Sequence, residues 1–299
     1  MSQFTELNVS DISKNLSSVL PKQMTMSLQL FQEIRKYIYD LTGIYFQDNK
    51  KYLLESRLQR RISFLGLKDY EEYFNLLKSN RNTEEKKYFY EAITINETFF
   101  FRNQPQLDAL ASKVFPEIIQ NKISQKKNRV RVWSAACSSG EEAYSIAMVF
   151  DDLVKPKYPN IEIEIIGTDI SSAVIETAKN GVYKEYSVRN IPPYYLKKYF
   201  LINGNTFEVK QELKKLVSFS ILNLYDDIMM KTMYNFDIIF CANVLIYFDN
   251  ASKIKVVSHL YNSLNRGGYL FIGYSETLQG ISKAFNLVSF PKTVGYKKE

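Results

Sequence analysis

The sequence predicts an α/β fold: a mostly parallel sheet ending in an antiparallel hairpin, a small antiparallel β-subdomain inserted in it, and a separate N-terminal all-helical domain. Three observations predict it. Arg129 to Phe150, RVRVWSAACSSGEEAYSIAMVF, alternates as far as Ala135, turns through small residues, and from Glu141 spaces Ala143, Ile146, Ala147 and Phe150 as a helix does. The rhythm repeats at Ile161 to Asp169 and Ser171 to Lys179, and strand, helix, strand, helix builds a parallel sheet with right-handed crossovers. Before Ala92 only helical periodicity occurs. With 299 residues, 45% hydrophobic and 14% aromatic, the chain can bury cores for two domains.

Residues 1–26 are polar and lack sustained periodicity, so they are expected to form a flexible tail. Residues 27–92 read as the helical domain. Leu30, Phe31, Ile34, Ile38 and Leu41 form one apolar stripe ended by Gly43, and Leu54, Leu58, Ile62 and Leu65 form the inner face of a second helix, Lys50 to Leu65. On that helix Lys50, Arg57, Arg60 and Arg61 fall within an arc of roughly 100°. Such a basic ridge is either a solvated face or a docking surface. Short helices at Asp69 to Lys78 and Glu84 to Ala92 complete the domain. The connector 93–104, containing Phe99, Phe100, Phe101 and Arg102, is too aromatic to lie in water and should pack against the second domain.

Residues 105–299 form the α/β domain, starting with a helix from Pro105 to Ile119. Residues 191–216 break its rhythm: Leu201-Ile202, a turn at Asn203-Gly204-Asn205, and Thr206 to Lys210 signal the hairpin of the β-subdomain. Strands resume at Val217 to Leu224, Phe236 to Ala242 and Gly268 to Tyr274, with a helix at Ser252 to Leu264 and a turn at Asn265 to Gly268. Phe285 to Phe290 and Thr293 to Tyr296 close the chain as an edge hairpin.

Net charge is +7, which favours an acidic partner. Cys137 and Cys241 read as buried thiols in a reducing compartment, and His259 is the only histidine, so no metal-ligand spacing occurs. No run of 18 apolar residues and no leader pattern is present, so a cytoplasmic protein without membrane insertion is expected.

The first strand–helix corner carries small residues and a helix N-terminus, suited to close approach of a ligand, but one glycine and no GxGxxG. That weakens a pyrophosphate site and favours S-adenosylmethionine, which has no phosphate to cradle. Asp169, ending the second strand, is placed to accept from two ribose hydroxyls or to cap the next helix; Glu142 or Glu141 is placed to meet an α-ammonium. The domain thus reads as a Rossmann-like methyltransferase sheet.

Four segments carry a resemblance. Asn96 to Arg102 (NETFFFR), Trp133 to Ser145 (WSAACSSGEEAYS), Thr168-Asp169-Ile170 and Phe240 to Phe248 (FCANVLIYF) resemble, in this order, the CheR family of chemotaxis receptor protein-glutamate O-methyltransferases, over roughly residues 30 to 298. The resemblance implies methyl transfer from S-adenosylmethionine to receptor glutamates, with S-adenosylhomocysteine as product, no metal, and methyl-accepting chemotaxis receptors as partners of a monomeric enzyme. It implies that Asn96, Thr98, Arg102, Glu142 and Asp169 bind the cofactor, that Asn223, Leu224, Asn243 and Val244 surround its adenine and methionine ends, and that Tyr247 lies beside the methyl. Arg102 and Tyr247 become candidates for orienting the cofactor carboxylate and the incoming glutamate, and the ridge of Lys50, Arg57, Arg60 and Arg61 resembles the family's receptor-docking helix.

A nucleic-acid methyltransferase would share the charge and the sheet. Asn190-Ile191-Pro192-Pro193-Tyr194 imitates an amino-methyltransferase motif, but carries an extra Ile and precedes the third strand of the main sheet, and Cys241 lacks the proline expected before a base-attacking cysteine. Nucleic acid is therefore not expected as a partner. A non-catalytic cofactor-binding adaptor is the other alternative. The hairpin turn, Leu201 to Phe207, is shorter and poorer in glycine than in family members that grip a receptor's C-terminal pentapeptide. A pentapeptide-independent enzyme is predicted: titrated with an isolated receptor C-terminal pentapeptide, the protein should give no tight binding, and tight binding would reject the reading.

Overall fold

A computed structural model describes residues 24–79 and 83–299. The predicted tail to residue 23 lies outside them. Met26, placed with the tail by sequence, is buried, and its N–H donates to Glu55 Oε1 at 2.7 Å, so the packed domain starts ahead of its first helix.

Four helices, α1 (Leu28–Thr42), α2 (Lys51–Leu65), α3 (Tyr70–Lys78) and α4 (Thr83–Ile93), enclose a core that includes Phe31, Ile34, Ile38, Leu54, Leu58, Ile62, Tyr73 and Phe89. Their ends follow the sequence signals. Ser27 Oγ accepts from Leu30 N, Gly43 and Gly66 close α1 and α2 in left-handed backbone, and Asp69 caps α3 by accepting from Glu72 N.

The second part begins with α5 (Gln104–Ala109), which runs through a π-helical turn at Leu110–Val114 into α6 (Phe115–Ser124), longer than the predicted helix. Then come β1 (Arg129–Ala135), α7 (Glu141–Val149), β2 (Glu162–Asp169), α8 (Ser172–Asn180), β3 (Val182–Lys184), α9 (Glu185–Val188), α10 (Pro193–Tyr199), β4 (Phe200–Asn203), β5 (Thr206–Val209), α11 (Gln211–Lys214), β6 (Val217–Ile221), α12 (Asp227–Met230), β7 (Phe236–Cys241), α13 (Asn250–Ser263), β8 (Leu264–Ile272), β9 (Phe285–Phe290) and β10 (Thr293–Lys298). The main sheet has the order β6-β2-β1-β7-β8-β10-β9, parallel from β6 to β8, with β10 antiparallel to both neighbours. Successive residues feed opposite faces: Ile238 and Phe240 join one core with α7, while Ile239 and Cys241 join the other with α13.

Two readings are corrected. The small sheet, order β3-β5-β4, takes in Val182–Lys184 ahead of the predicted 191–216, because three residues after the Gly181 cap are too few to show alternation. Asn265 to Gly268 is not a turn before the strand but part of β8, where Leu264 still pairs with Phe236 across a register shift. Among the described residues no helix is long and apolar enough to cross a membrane.

Arg61, predicted to lie on the basic ridge, is instead a cross-link of the helical core. Its Nε and Nη2 donate to the two oxygens of buried Glu85 at 2.7 Å each, and its guanidinium lies 3.8 Å from the Tyr88 ring centre. Removing one partner of a buried pair leaves the other charge poorly compensated, whereas an exposed arginine contributes little. Arg61→Ala is expected to lower the unfolding free energy by about 3 kcal/mol and Arg60→Ala by less than about 0.5 kcal/mol in urea denaturation; equal effects would contradict the assignment.

Candidate active site

The carboxyl ends of the parallel strands stand level. Ala135 pairs with Thr168, Asp169 with Ile221, and Cys241 with Ile272, so the loops that leave them open into one cleft. The chain leaves β1 through Ala136 (φ 59°) and Ser138 (φ 50°), non-glycine residues in left-handed backbone, and enters α7 at Gly140 (φ 93°). The first two cost on the order of 1 kcal/mol each, a kind of strain that collects where ligands are held. Only glycine serves at 140, where a Cβ would lie 2.8 Å from Ala178 Cβ and 2.9 Å from the Phe219 ring.

Asp169 sits at the centre of this corner. It is 6% exposed; Oδ2 accepts from Ser138 N at 2.9 Å and Oδ1 from Ser171 N at 3.0 Å. Burial raises its pKa, opposed by these N–H groups and that of Ile170. Each oxygen retains lone-pair capacity toward the cleft. The two acids left open by sequence separate here. Glu141 is buried and accepts from the hydroxyls of Ser139 (2.7 Å) and Ser187 (3.0 Å), away from the cleft, whereas Glu142 lines it and accepts from Ser134 Oγ at 2.6 Å. Loss of hydration pushes Glu142 up to about 7, outweighing the Ser134 bond and the field of Arg102.

The connector forms a second wall. Phe100 is fully buried, edge-on to Tyr183 (4.8 Å) and Phe200 (5.3 Å) of the small sheet, and Phe101 stacks on Tyr195 at 5.3 Å. Phe99 faces the cleft, with the Arg189 guanidinium 3.8 Å from its ring centre. Phe101 N donates to Ser145 Oγ, Asn96 O accepts from Ser138 Oγ at 2.9 Å, and Arg102 donates to Glu97 O at 2.8 Å. The aromatic connector thus packs as its composition predicted.

The helical domain supplies the third wall through Thr42, Ile44 and Ile93. Ile44 bridges Phe248 antiparallel, Tyr45 N donates to Tyr247 O at 3.0 Å, and Asn223 Nδ2 donates to Leu41 O at 2.7 Å. Asn223 Oδ1 accepts from Tyr225 N, so both ends of that amide already hold the fold together. Tyr247, ending the 3₁₀ turn Leu245–Tyr247, is half-buried; burial raises its pKa, and the fields of Arg102 and Arg57 lower it.

Asn96, Thr98, Arg102, Glu142, Asp169, Asn223, Leu224, Asn243, Val244 and Tyr247 all line this cleft. The four basic residues do not act alike. Lys50 and Arg60 are exposed and form no ion pair among the described residues, Arg61 is tied to Glu85, and Arg57 turns inward to donate to Ile93 O at 2.9 Å. Tyr194, from the nucleic-acid-like motif, lies outside the cleft lining, in α10. Both cysteines are free and buried, with thiol pKa values pushed well up by desolvation. His259 is half-buried against Leu224 O and Asp227, and no group of three or more His, Cys, Asp or Glu among the described residues could hold a metal ion. Sequence reasoning missed Ser134, Ser138 and Glu276. Ser134 was visible only as a strand residue and Ser138 only as a small residue of the turn, and Glu276 stands in a loop with no pattern of its own.

A mostly parallel sheet with a terminal antiparallel hairpin, a small-residue first corner and acids at the ends of its strands defines a Rossmann-like S-adenosylmethionine-dependent methyltransferase. Residues 96–294 match the family model "CheR methyltransferase, SAM binding domain" and residues 29–94 match "CheR methyltransferase, all-alpha domain". The chain belongs to the CheR methyltransferase family. It is 36% identical to "Chemotaxis protein methyltransferase 2" of Vibrio cholerae, over 90% of this chain and 92% of that one. It is 36% identical to "Chemotaxis protein methyltransferase" of Borreliella burgdorferi (82% and 87%) and 35% identical to that of Escherichia coli K12 (89% and 91%).

Proposed function

We propose that this protein transfers the methyl group of S-adenosylmethionine to glutamate side chains on the cytoplasmic helices of chemoreceptors, giving glutamate methyl esters and S-adenosylhomocysteine. The observation that carries the reading is one cleft holding a sugar-type acid, Asp169, an acid poised for a cation, Glu142, and a guanidinium and a phenol, Arg102 and Tyr247. The donor set fits the cofactor. Asp169 has acceptor capacity for ribose hydroxyls, Glu142 matches an α-ammonium, Arg102 matches an α-carboxylate, and Ile170, Leu222, Leu224 and Val244 offer apolar surface to an adenine.

The bound cofactor supplies a methyl group activated on a sulfonium. The chain's residues have only to bring a carboxylate to it. A glutamate with an ordinary pKa of about 4.3 is ionised at pH 7, so no general base is required. Arg102 and Tyr247 orient the cofactor carboxylate and the entering glutamate, and the walls from the helical domain and connector exclude water while opposite charges neutralise. Lys50 and Arg60, on a chain of net charge +7, favour encounter with Glu-rich receptor helices. No pentapeptide tether, nucleic acid or second subunit enters this reading.

With tritiated S-adenosylmethionine and receptor cytoplasmic fragments, label should enter the receptor and leave as volatile methanol in alkali; alkali-stable label would contradict ester formation. Arg102→Ala is expected to lower turnover by about 10²-fold, and Tyr247→Phe by at least about tenfold, while unfolding free energy moves by less than about 1 kcal/mol; unchanged methylation in both would refute their roles. Because Glu142 keeps its proton up to about pH 7, an ammonium held against it requires loss of that proton. Affinity for S-adenosylhomocysteine should therefore fall by up to about tenfold per pH unit below 7, and Glu142→Gln should flatten the dependence; calorimetric titrations at pH 6 and pH 8 check this, and equal affinity would contradict it.

A further inference from the structure

Glu276 sits behind the cleft, outside its lining, in the loop between β8 and β9. Its carboxylate accepts three main-chain N–H groups: Oε2 from Gly273 at 2.6 Å and from Asn243 at 2.9 Å, and Oε1 from Ile246 at 3.2 Å. These donors belong to loops leaving adjacent strands, since Cys241 pairs with Ile272. Asn243 needs such support because its backbone is left-handed, φ 63°, a conformation L-residues other than glycine adopt at a cost. The space is reserved for the carboxylate: a Cβ at Gly273 would lie 2.7 Å from Glu276 Oε2 and 2.8 Å from Asn243 N. An ionised carboxylate is an acceptor at both oxygens, so it alone among side chains of this length satisfies all three donors.

We infer that Glu276 is a positioning residue for methyl transfer, fixing the turn that presents Asn243, Val244 and Tyr247 to the cleft. The inference rests on the proposed function, which sets that turn at the reacting end of the cofactor. The two oxygens divide the task. Oε2 holds the Asn243 end, on the cofactor side, and Oε1 holds Ile246, the residue before Tyr247. A glutamine fits the same space with one acceptor. With its oxygen in the Oε2 position it keeps Gly273 and Asn243 and sets its NH₂ against the Ile246 N–H, freeing only the Tyr247 end.

The test measures S-adenosylhomocysteine affinity by calorimetry, KM for S-adenosylmethionine, kcat with receptor fragment, and thermal unfolding on the full chain. Glu276→Gln is expected to keep affinity and KM within about threefold while kcat falls at least about tenfold; Glu276→Ala should weaken affinity about tenfold as well. A purely structural role would instead lower kcat only in proportion to the folded fraction. That result, or kcat within about twofold of the parent in both variants, would overturn the inference. If the parent binds the cofactor product and both variants match it in kcat, this inference alone falls. If the parent binds none, the proposed function falls and this inference with it.

Discussion

The structure turns on one buried carboxylate. Asp169 accepts Ser138 N with one oxygen and Ser171 N with the other, while Thr168 O receives Cys137 N and Asp169 O receives Leu222 N, so the ends of β1, β2 and β6 are joined at two consecutive residues. An ionised group taken out of water without partners costs several kcal/mol, and main-chain donors on both oxygens offset much of that. Those oxygens keep acceptor capacity, and Asp169 lines the cleft. The contact that sets the corner's geometry therefore also leaves acceptor capacity on a residue that lines the cleft.

From this corner the order extends outward. Ser138 spends its backbone on Asp169 and its hydroxyl on Asn96 O, which fixes the connector; Phe100 and Phe101 then anchor the connector against the small sheet and Tyr195. On the far side the helical domain reaches the same cleft through Asn223 to Leu41, Tyr45 to Tyr247 and the Ile44–Phe248 bridge. Two parts with separate cores thus share one site, and α2 reaches it through Arg57, which donates to Ile93 O and acts by its charge on Tyr247. Electrostatics follow the same division: acids line the depth of the cleft, and the exposed cations Lys50 and Arg60 stand outside it.

Much of this was legible in the residues because local signals agreed with the fold. Ser27, Gly43, Asp69 and Gly181 ended helices as their chemistry requires, and Ile161 to Asp169 alternated as a half-covered strand does. The aromatic connector was legible too, since three phenylalanines cannot profitably face water. The features that escaped depended on distance in sequence. Val182–Lys184 becomes a strand only because Thr206–Val209 comes to lie beside it. Arg61 looks like a surface cation until Glu85, 24 residues on, buries beneath it. Glu142 and Glu141 are neighbours of identical chemistry, and only the serines around Glu141 show which one turns away. Glu276 gains meaning only from N–H groups presented by a strand end 33 residues earlier.

The central claim is that the acids of this corner hold the cofactor from both ends. A crystal structure of the protein with S-adenosylhomocysteine tests it most directly. The account predicts both ribose hydroxyls within hydrogen-bond distance of the Asp169 carboxylate and the α-ammonium against Glu142. A nucleoside bound elsewhere, or a sugar in the cleft with Asp169 turned from it, would contradict the account.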